Sequence, residues 1–401
     1  MPLKKRDVYI EKLRVLRDKP FIKVISGVRR CGKSSLLKLL EEDLAAEGVP
    51  RANVIKIDMD SRDTRNAIRC SDDLCNRVKE RLNSGKNYVL IDEIQNIRDW
   101  EEALIMMFTD LDADLYVTCS SAILLSPDAG IKLVGRFVEV RVTPLSFREY
   151  VDFTESRNKD MNKTFINYLK FGGFPAVALL EEDPELSATV LNGIYNTILD
   201  LDVGMRNEIR DSVMLKDLAE YVIANTGTAI SSKGMSDHLS SNGRKNSRVT
   251  IENYLLMMER AFLLYKVRRY DIRGEVRLKT LGKYYVVDAG MRNLFVNGWD
   301  NNLGKVLENI VYLELLRRGF IVSVGKTRTH EIDFIADKGN ERLYIQVSQT
   351  LSDKIVRERE LKPLTETGDE FPKMILTLDP QTIDNFNGIK NVNLIEWLLE
   401  R

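Results

Sequence analysis

The chain has 401 residues, of which 44% are hydrophobic and 30% charged, and its 60 basic and 60 acidic residues cancel. That length calls for two to four domains, each able to bury a core of its own. A balanced charge excludes a global attraction to nucleic acid, so any such affinity has to come from local patches. No apolar run approaches the length of a membrane span, and the start MPLKKRDVYI carries basic residues without the apolar stretch of a secretory signal. The four cysteines (Cys31, Cys70, Cys75, Cys119) are scattered in no metal-ligating pattern, which points to reduced thiols and a cytoplasmic setting.

Phe21 to Ile25 reads as a strand running straight into Gly27-Val28-Arg29-Arg30-Cys31-Gly32-Lys33-Ser34, the G-x-x-x-x-G-K-[ST] spacing of a phosphate loop. Gly27 and Gly32 permit the tight backbone that turns successive N–H groups toward a phosphate, and Lys33 reaches the β and γ oxygens. Ser34 offers a hydroxyl to Mg²⁺, and the N-terminus of the following helix adds partial positive charge. The nucleotide-binding set is therefore Gly27, Arg29, Arg30, Cys31, Gly32, Lys33, Ser34 and Ser35. A helix over residues 34–46, with Leu36, Leu40 and Leu44 on one face, ends at Gly48 and Pro50. A second strand follows at Val54 to Ile57, then a polar helix over residues 71–82.

Tyr88-Val89-Leu90-Ile91-Asp92-Glu93 is a buried strand that delivers two carboxylates at its C-terminal end, where open α/β sheets bind ligands. Asp92 would hold the Mg²⁺ shell, and Glu93 would orient and deprotonate an attacking water. A fourth strand, Leu115 to Thr118, leads into Cys119-Ser120-Ser121. Ser120, with Thr118 in reserve, would contact the γ-phosphate or the water; the alternative is a serine-rich cap for a helix over residues 122–125. Arg136 precedes a fifth strand, Phe137 to Val142. It would reach a γ-phosphate of its own or a neighbouring subunit, or else be a surface cation.

Together, GVRRCGKSSLL, YVLIDEIQ, VTCSSAILL, VGRFVEVRVTPLSFREY and YLKFGGFPAVAL resemble one family of prokaryotic AAA-type ATPases, over essentially the whole chain. In that family an ATPase module is paired with a C-terminal domain of uncharacterised function. The resemblance implies an α/β fold: a P-loop parallel sheet of the additional-strand type, order 5-1-4-3-2. It also implies the roles above for Lys33, Ser34, Asp92 and Glu93, with ATP and Mg²⁺ as cofactors. The domains it suggests are an ATPase core (1–150), a helical lid (151–205), a winged helix (206–290) and a C-terminal α/β domain (291–401).

Residues 163–200 read as helices broken at Phe171-Gly172-Gly173-Phe174-Pro175, in character with a small lid over ATP. Residues 214–279 read as three helices and then strands, Phe262 to Val267 and Val276 to Leu278 forming the wing. Lys266, Arg268, Arg269, Arg273, Arg277 and Lys279 face only Asp271 and Glu275, and Arg244, Lys245 and Arg248 have no acid beside them. Such cations would contact the phosphates of double-stranded DNA without reading sequence, or be merely solvated while the domain clamps its neighbours.

An amphipathic helix at residues 304–319 places Glu308 beside its apolar face, and strands follow at Glu331 to Ala336 and Leu343 to Ser348. This order is similar to restriction-endonuclease-like folds, where a helix Glu, a strand Asp and an (Asp/Glu)-x-Lys strand hold Mg²⁺. Glu308 and Asp333 match, but Gln346 stands in place of the second acid and Ser348 in place of the lysine. A neutral amide gives a metal less charge, and no ammonium remains to stabilise the reaction, so cleavage is not expected. His330 is a nearby substitute base or simply polar surface. The leading expectation is a Mg²⁺-dependent ATPase acting on a nucleic-acid or protein partner, in which a trans role for Arg136 would require a homo-oligomer. The alternatives are a nucleotide-gated regulatory, defence or toxin–antitoxin module with little turnover, and an ATP-controlled nuclease.

Overall fold

The computed structural model describes residues 3–122, 133–157, 159–180, 183–207, 209, 211–241, 247–278, 282–380 and 385–400, without the side chains of residues 206 and 277. Most of the helix expected over 122–125, the cations Arg244, Lys245 and Lys279, and the Arg277 side chain lie outside the described residues. The chain divides into two compact units: Met1–Val142 with Arg260–Phe262, and Thr143–Glu259 with Leu263–Arg401.

The first unit is built on five parallel strands, β1 (Ile22–Ser26), β2 (Val54–Asp58), β3 (Asn87–Asp92), β4 (Ala113–Cys119) and β5 (Phe137–Arg141). They lie in the order β2-β3-β4-β1-β5, which is the expected 5-1-4-3-2 read from the other edge. Helices such as Lys33–Ala46 and Trp100–Asp110 cover the sheet, and that is why β1 is buried at every position and reads as a continuous apolar run. One side of the core gathers Ile57, Leu74, Val89, Ile91, Leu104, Met107 and Val117. In-register pairing of Ser26 with Cys119 and of Asp58 with Asp92 brings the C-terminal strand ends to one edge. Ligands of open α/β sheets bind at such an edge.

The second unit begins with helices Phe147–Phe153, Met161–Phe171, Pro175–Ala178 and Pro184–Thr197. Ser146 and Glu149 form a capping box on the first of them. The chain breaks where expected, at Gly172–Gly173, and the fully buried Asp288 carboxylate accepts from Gly173 N at 2.6 Å. Helices Ser212–Ala224, Ser232–Ser241 and Arg248–Arg260 then pack with a small antiparallel sheet, order β6-β10-β7 (Ala229–Ile230, Gly282–Val286, Leu264–Val267).

One strand differs from expectation. Val276–Arg277 (β9) does not partner β7; it pairs with Arg269–Asp271 (β8), which in turn joins the C-terminal sheet. The partner of β7 is β10, whose five residues are all buried, whereas Val276 is 52% exposed. Burial selects as the in-sheet partner the strand whose own residues can all be buried on both faces. The C-terminal sheet has eight strands in the order β15-β16-β14-β13-β12-β11-β8-β9. Its further members are β11 (Ile321–Lys326), β12 (Glu331–Lys338), β13 (Glu341–Val347), β14 (Lys373–Thr377), β15 (Asn385–Phe386) and β16 (Ile389–Asn393). Its core includes Ile332, Ile335, Tyr344, Leu364 and Ile375. Among the described residues no helix is long and apolar enough to cross a membrane.

Candidate functional site

The loop leaving β1 has the backbone its glycines foretell. Gly27 has φ +149°, and a Cβ there would lie 2.1 Å from the Val142 carbonyl oxygen, so no other residue fits. Arg30 and Gly32 take positive φ (+69° and +105°), the kind of turn that folds successive amides into an anion-binding concavity. Gly32 also serves as the N-cap of the helix Lys33–Ala46, directing that helix end at the loop. Cys31 is buried, donates its Sγ proton to Val142 O at 3.4 Å, and has its thiol pushed up by burial. Ser34 and Ser35 are exposed at the mouth, Arg29 is half-buried and Arg30 exposed. Lys33 is 3% exposed; its ammonium donates to Gly27 O (3.0 Å) and Val28 O (3.2 Å) and lies 3.4 Å from Glu93 Oε1.

Across the sheet edge, β3 delivers Asp92 and Glu93, and Glu93 turns sharply away with φ +52°. Thr118, wholly buried on β4, fixes both: its hydroxyl donates to Asp92 Oδ1 and accepts from Glu93 N at 2.8 Å. Burial pushes the Asp92 carboxyl up, against hydrogen bonds from Thr118 and Ser34. Burial acts on Glu93 as well, but the Lys33 ammonium, the Gln95 amide, Arg29 and Ser120 outweigh it and hold that carboxyl below its ordinary range. Gln95 Nε2 bridges Glu93 Oε2 and, at 3.1 Å, Ser120 Oγ. Ser120, 0% exposed, therefore bears on the Glu93 carboxylate. Gln95 was not singled out from sequence; its one signal is its position two residues past the acidic pair.

The AAA domain family matches residues 19–151 and a domain of unknown function (DUF8612) matches residues 162–302. An uncharacterised protein of Haemophilus influenzae is 35% identical over 399 residues, which is 98% of this chain and 98% of that one. The uncharacterised protein MJ1544 of Methanocaldococcus jannaschii is 30% identical over 359 residues, 85% of this chain and 77% of that one. The chain belongs to the AAA-type P-loop ATPases. Among solved structures the Walker-type ATPase PABY2304 of Pyrococcus abyssi has the same fold, with a TM-score of 0.51 over 73% of this chain and 96% of that one at 16% identity.

In this AAA-type ATPase, Arg136 stands apart from the other expected site residues. Its carbonyl accepts from Ile22 N at 2.8 Å, and Ile22 pairs with Phe137. The phosphate loop leaves β1 after Ser26, four residues on, or about 13 Å along the strand. Arg136 is thus at the opposite end of the sheet, too far to serve its own nucleotide, and the reading in which it acts within one subunit is corrected. A further residue, Arg6, was missed. It is 4% exposed and donates to Cys31 O at 2.9 Å, holding the loop from behind.

A second polar cluster lies in the C-terminal half. Glu308 from the helix Leu303–Arg317, Asp333 from β12, and Gln346 with Ser348 at the end of β13 all line a cavity of about 630 Å³, as do Lys305 and His330. The sequence pattern therefore brought its four residues together. It missed Lys283 of β10, which is 1% exposed with its ammonium 3.1 Å from Glu308, 2.9 Å from Glu331 and 3.6 Å from Asp333. Burial works against the Lys283 charge, but these three carboxylates outweigh it and raise its pKa. Asp333 is pushed up to about 7 by burial and by Glu308, with Lys283 opposing. His330 Nδ1 is engaged by Glu366 at 2.9 Å.

Proposed function

We propose that the chain is a Mg²⁺-dependent ATP hydrolase that uses turnover to move its helical and C-terminal segments on a partner. The observation that carries this is the convergence of Lys33, Ser34, Asp92 and Glu93 at one sheet edge, with Glu93 held ionised. Lys33, released from the loop carbonyls, would take the β and γ oxygens. Glu93 would orient the water and accept its proton, while Thr118, Gln95 and Ser120 keep both carboxylates in place. The Ser34 hydroxyl beside Asp92 fits a Mg²⁺ ion, which supplies charge neutralisation to the phosphates. Arg136, at the far end of β5, fits a γ-phosphate on a second copy of the chain, so activity in a homo-oligomer is part of this reading.

Three helices with the β6-β10-β7 sheet support a winged-helix reading of the middle segment, and a protein partner is favoured over duplex DNA. The exposed face of the helix Arg248–Arg260 carries Val249, Leu256 and Glu252, and two of the expected cations are committed: Arg248 to Glu252 and Arg269 to Glu331. The C-terminal segment supports an endonuclease-like shape without cleavage.

Steady-state phosphate release from wild type and Glu93→Gln, with ATP binding measured alongside, tests the assignment. Turnover should fall by roughly 100-fold or more in the variant with ATP binding retained. Wild-type turnover no faster than that of Glu93→Gln would instead support a nucleotide-gated module that hardly hydrolyses.

A further inference from the structure

Three carboxylates meet in the C-terminal cluster, and buried like charges are tolerated only with a cation among them. Here the cation belongs to the protein. We propose that Lys283 is the resident cation of this pocket: its ammonium stands between Glu308 and Asp333, where an endonuclease-like site would hold a divalent metal, and the pocket works without one. This deepens the reading of the C-terminal segment as endonuclease-like in shape and is independent of ATP turnover.

The carboxylate oxygens account for the claim one by one. Glu308 Oε2 accepts from Lys283 Nζ at 3.1 Å and from Tyr285 OH at 3.2 Å, and its Oε1 accepts from Lys305 Nζ at 2.7 Å. Asp333 Oδ1 faces Lys283 Nζ at 3.6 Å, and Oδ2 accepts from Val347 N at 2.9 Å. A hard cation such as Mg²⁺ or Mn²⁺ needs several free oxygens around one point, and these four oxygens, like Glu331 Oε1 at 2.9 Å from Lys283 Nζ and Oε2 at 3.5 Å from Arg269, already meet a donor or cation of the protein. Gln346 adds none: its Oε1 accepts from Asp333 N at 3.1 Å, and its Nε2 donates to Glu360 Oε2 at 2.9 Å. Ser348 Oγ donates to Thr350 O at 3.1 Å. Among the described residues, no three Asp, Glu, His or Cys groups are arranged to hold a metal ion.

The ammonium is also fixed in place. Asn309, on the same helix as Glu308, accepts from Val286 N at 2.9 Å and donates to Val286 O at 3.0 Å. Those two bonds clamp β10 to the helix, so Lys283 is a permanent part of the cluster. The two departures from the nuclease pattern then have one cause: with a cation supplied from β10, neither a second acid at Gln346 nor a lysine at Ser348 is required.

Mn²⁺ binding to the full chain, followed by electron paramagnetic resonance without nucleotide and with Ser34→Ala to silence the phosphate-loop site, tests the proposal. With Lys283 intact, no Mn²⁺ site should depend on Asp333. Lys283→Met should melt lower, bind Mn²⁺ at least about tenfold more tightly and recover stability in millimolar Mn²⁺, and Asp333→Asn should erase that gain. A Mn²⁺ site in the Lys283-containing protein that Asp333→Asn removes would overturn the proposal. So would a Lys283→Met protein that melts normally and gains no site. Should Lys283→Met fail to fold, the measurement with lysine intact still decides. ATP turnover in parallel reports separately on the ATPase reading.

Discussion

Thr118→Val removes one hydroxyl and keeps the shape of the side chain, so its consequences can be worked out from two hydrogen bonds. The lost donor to Asp92 is a bond to a carboxylate, worth about 1.5–3 kcal/mol, and the Glu93 N–H left buried without its acceptor costs about 1–3 kcal/mol. Glu93 also sits at positive φ, which for a residue with a Cβ costs roughly 1–2 kcal/mol and is sustained by that same bond. The two effects overlap, so urea unfolding of the first unit should show a loss of about 2–4 kcal/mol. Once Glu93 can relax by a fraction of an ångström, kcat in a phosphate-release assay should fall about 10- to 100-fold, with ATP affinity little changed. Thr118→Ser keeps the oxygen and should restore most of both. A Thr118→Val protein with wild-type kcat and denaturation midpoint would refute the argument, as would Thr118→Ser being as damaging as Thr118→Val.

Other outcomes follow from single contacts. Gly27→Ala places a Cβ 2.1 Å from Val142 O, on backbone that cannot swing aside, and should weaken ATP binding about 100-fold. Gly48→Ala, also at positive φ but with nothing within 4 Å, should cost only about 1–2 kcal/mol of stability and leave ATP binding intact; equal losses of binding would count against the steric account. Asp288 is pushed up to about 6 by burial, from an ordinary 3.8, against hydrogen bonds from Gly173, Met291 and Gly290. Its folded form binds the proton more tightly, so the contribution is fully present below pH 3.8 and is lost as pH rises through 6. The stability of wild type relative to Asp288→Asn should therefore fall by about 2 kcal/mol between pH 4 and 7, and a flat difference would rule out this buried acid as the cause.

The phosphate loop and the acidic pair were legible because each is written in contiguous residues: an apolar run and then the chemistry at its end. The strand order, a matter of non-local pairing, came only from the family resemblance. Thr118 was visible only as a reserve. Its importance depends on β3 and β4 being neighbours and on the turn at Glu93, and neither can be read along one strand. Lys283 was illegible for a similar reason. It lies twenty-five residues before Glu308, in a stretch whose neighbours read as a basic wing, and only the packing of β10 on the helix Leu303–Arg317 brings it to the acids. The wing strand was misplaced because Val276-Arg277-Leu278 and Tyr284-Tyr285-Val286 are both short strand-like runs, and burial alone chooses between them. Of the three readings of Arg136, register removes only the one within its own subunit; a neighbouring subunit's nucleotide and a surface cation both fit the far end of the sheet.

Between β7 and β10 the chain makes a detour, contributing β8 and β9 to the large sheet before returning to the small one. The two sheets are thereby stitched by a single thread. A fragment starting at residue 291 would lose the strand that covers β11 together with the lysine that neutralises the acids, and one ending there would carry a hairpin with nowhere to lie. The tail cannot be exchanged between relatives as a cassette unless the seam travels with it.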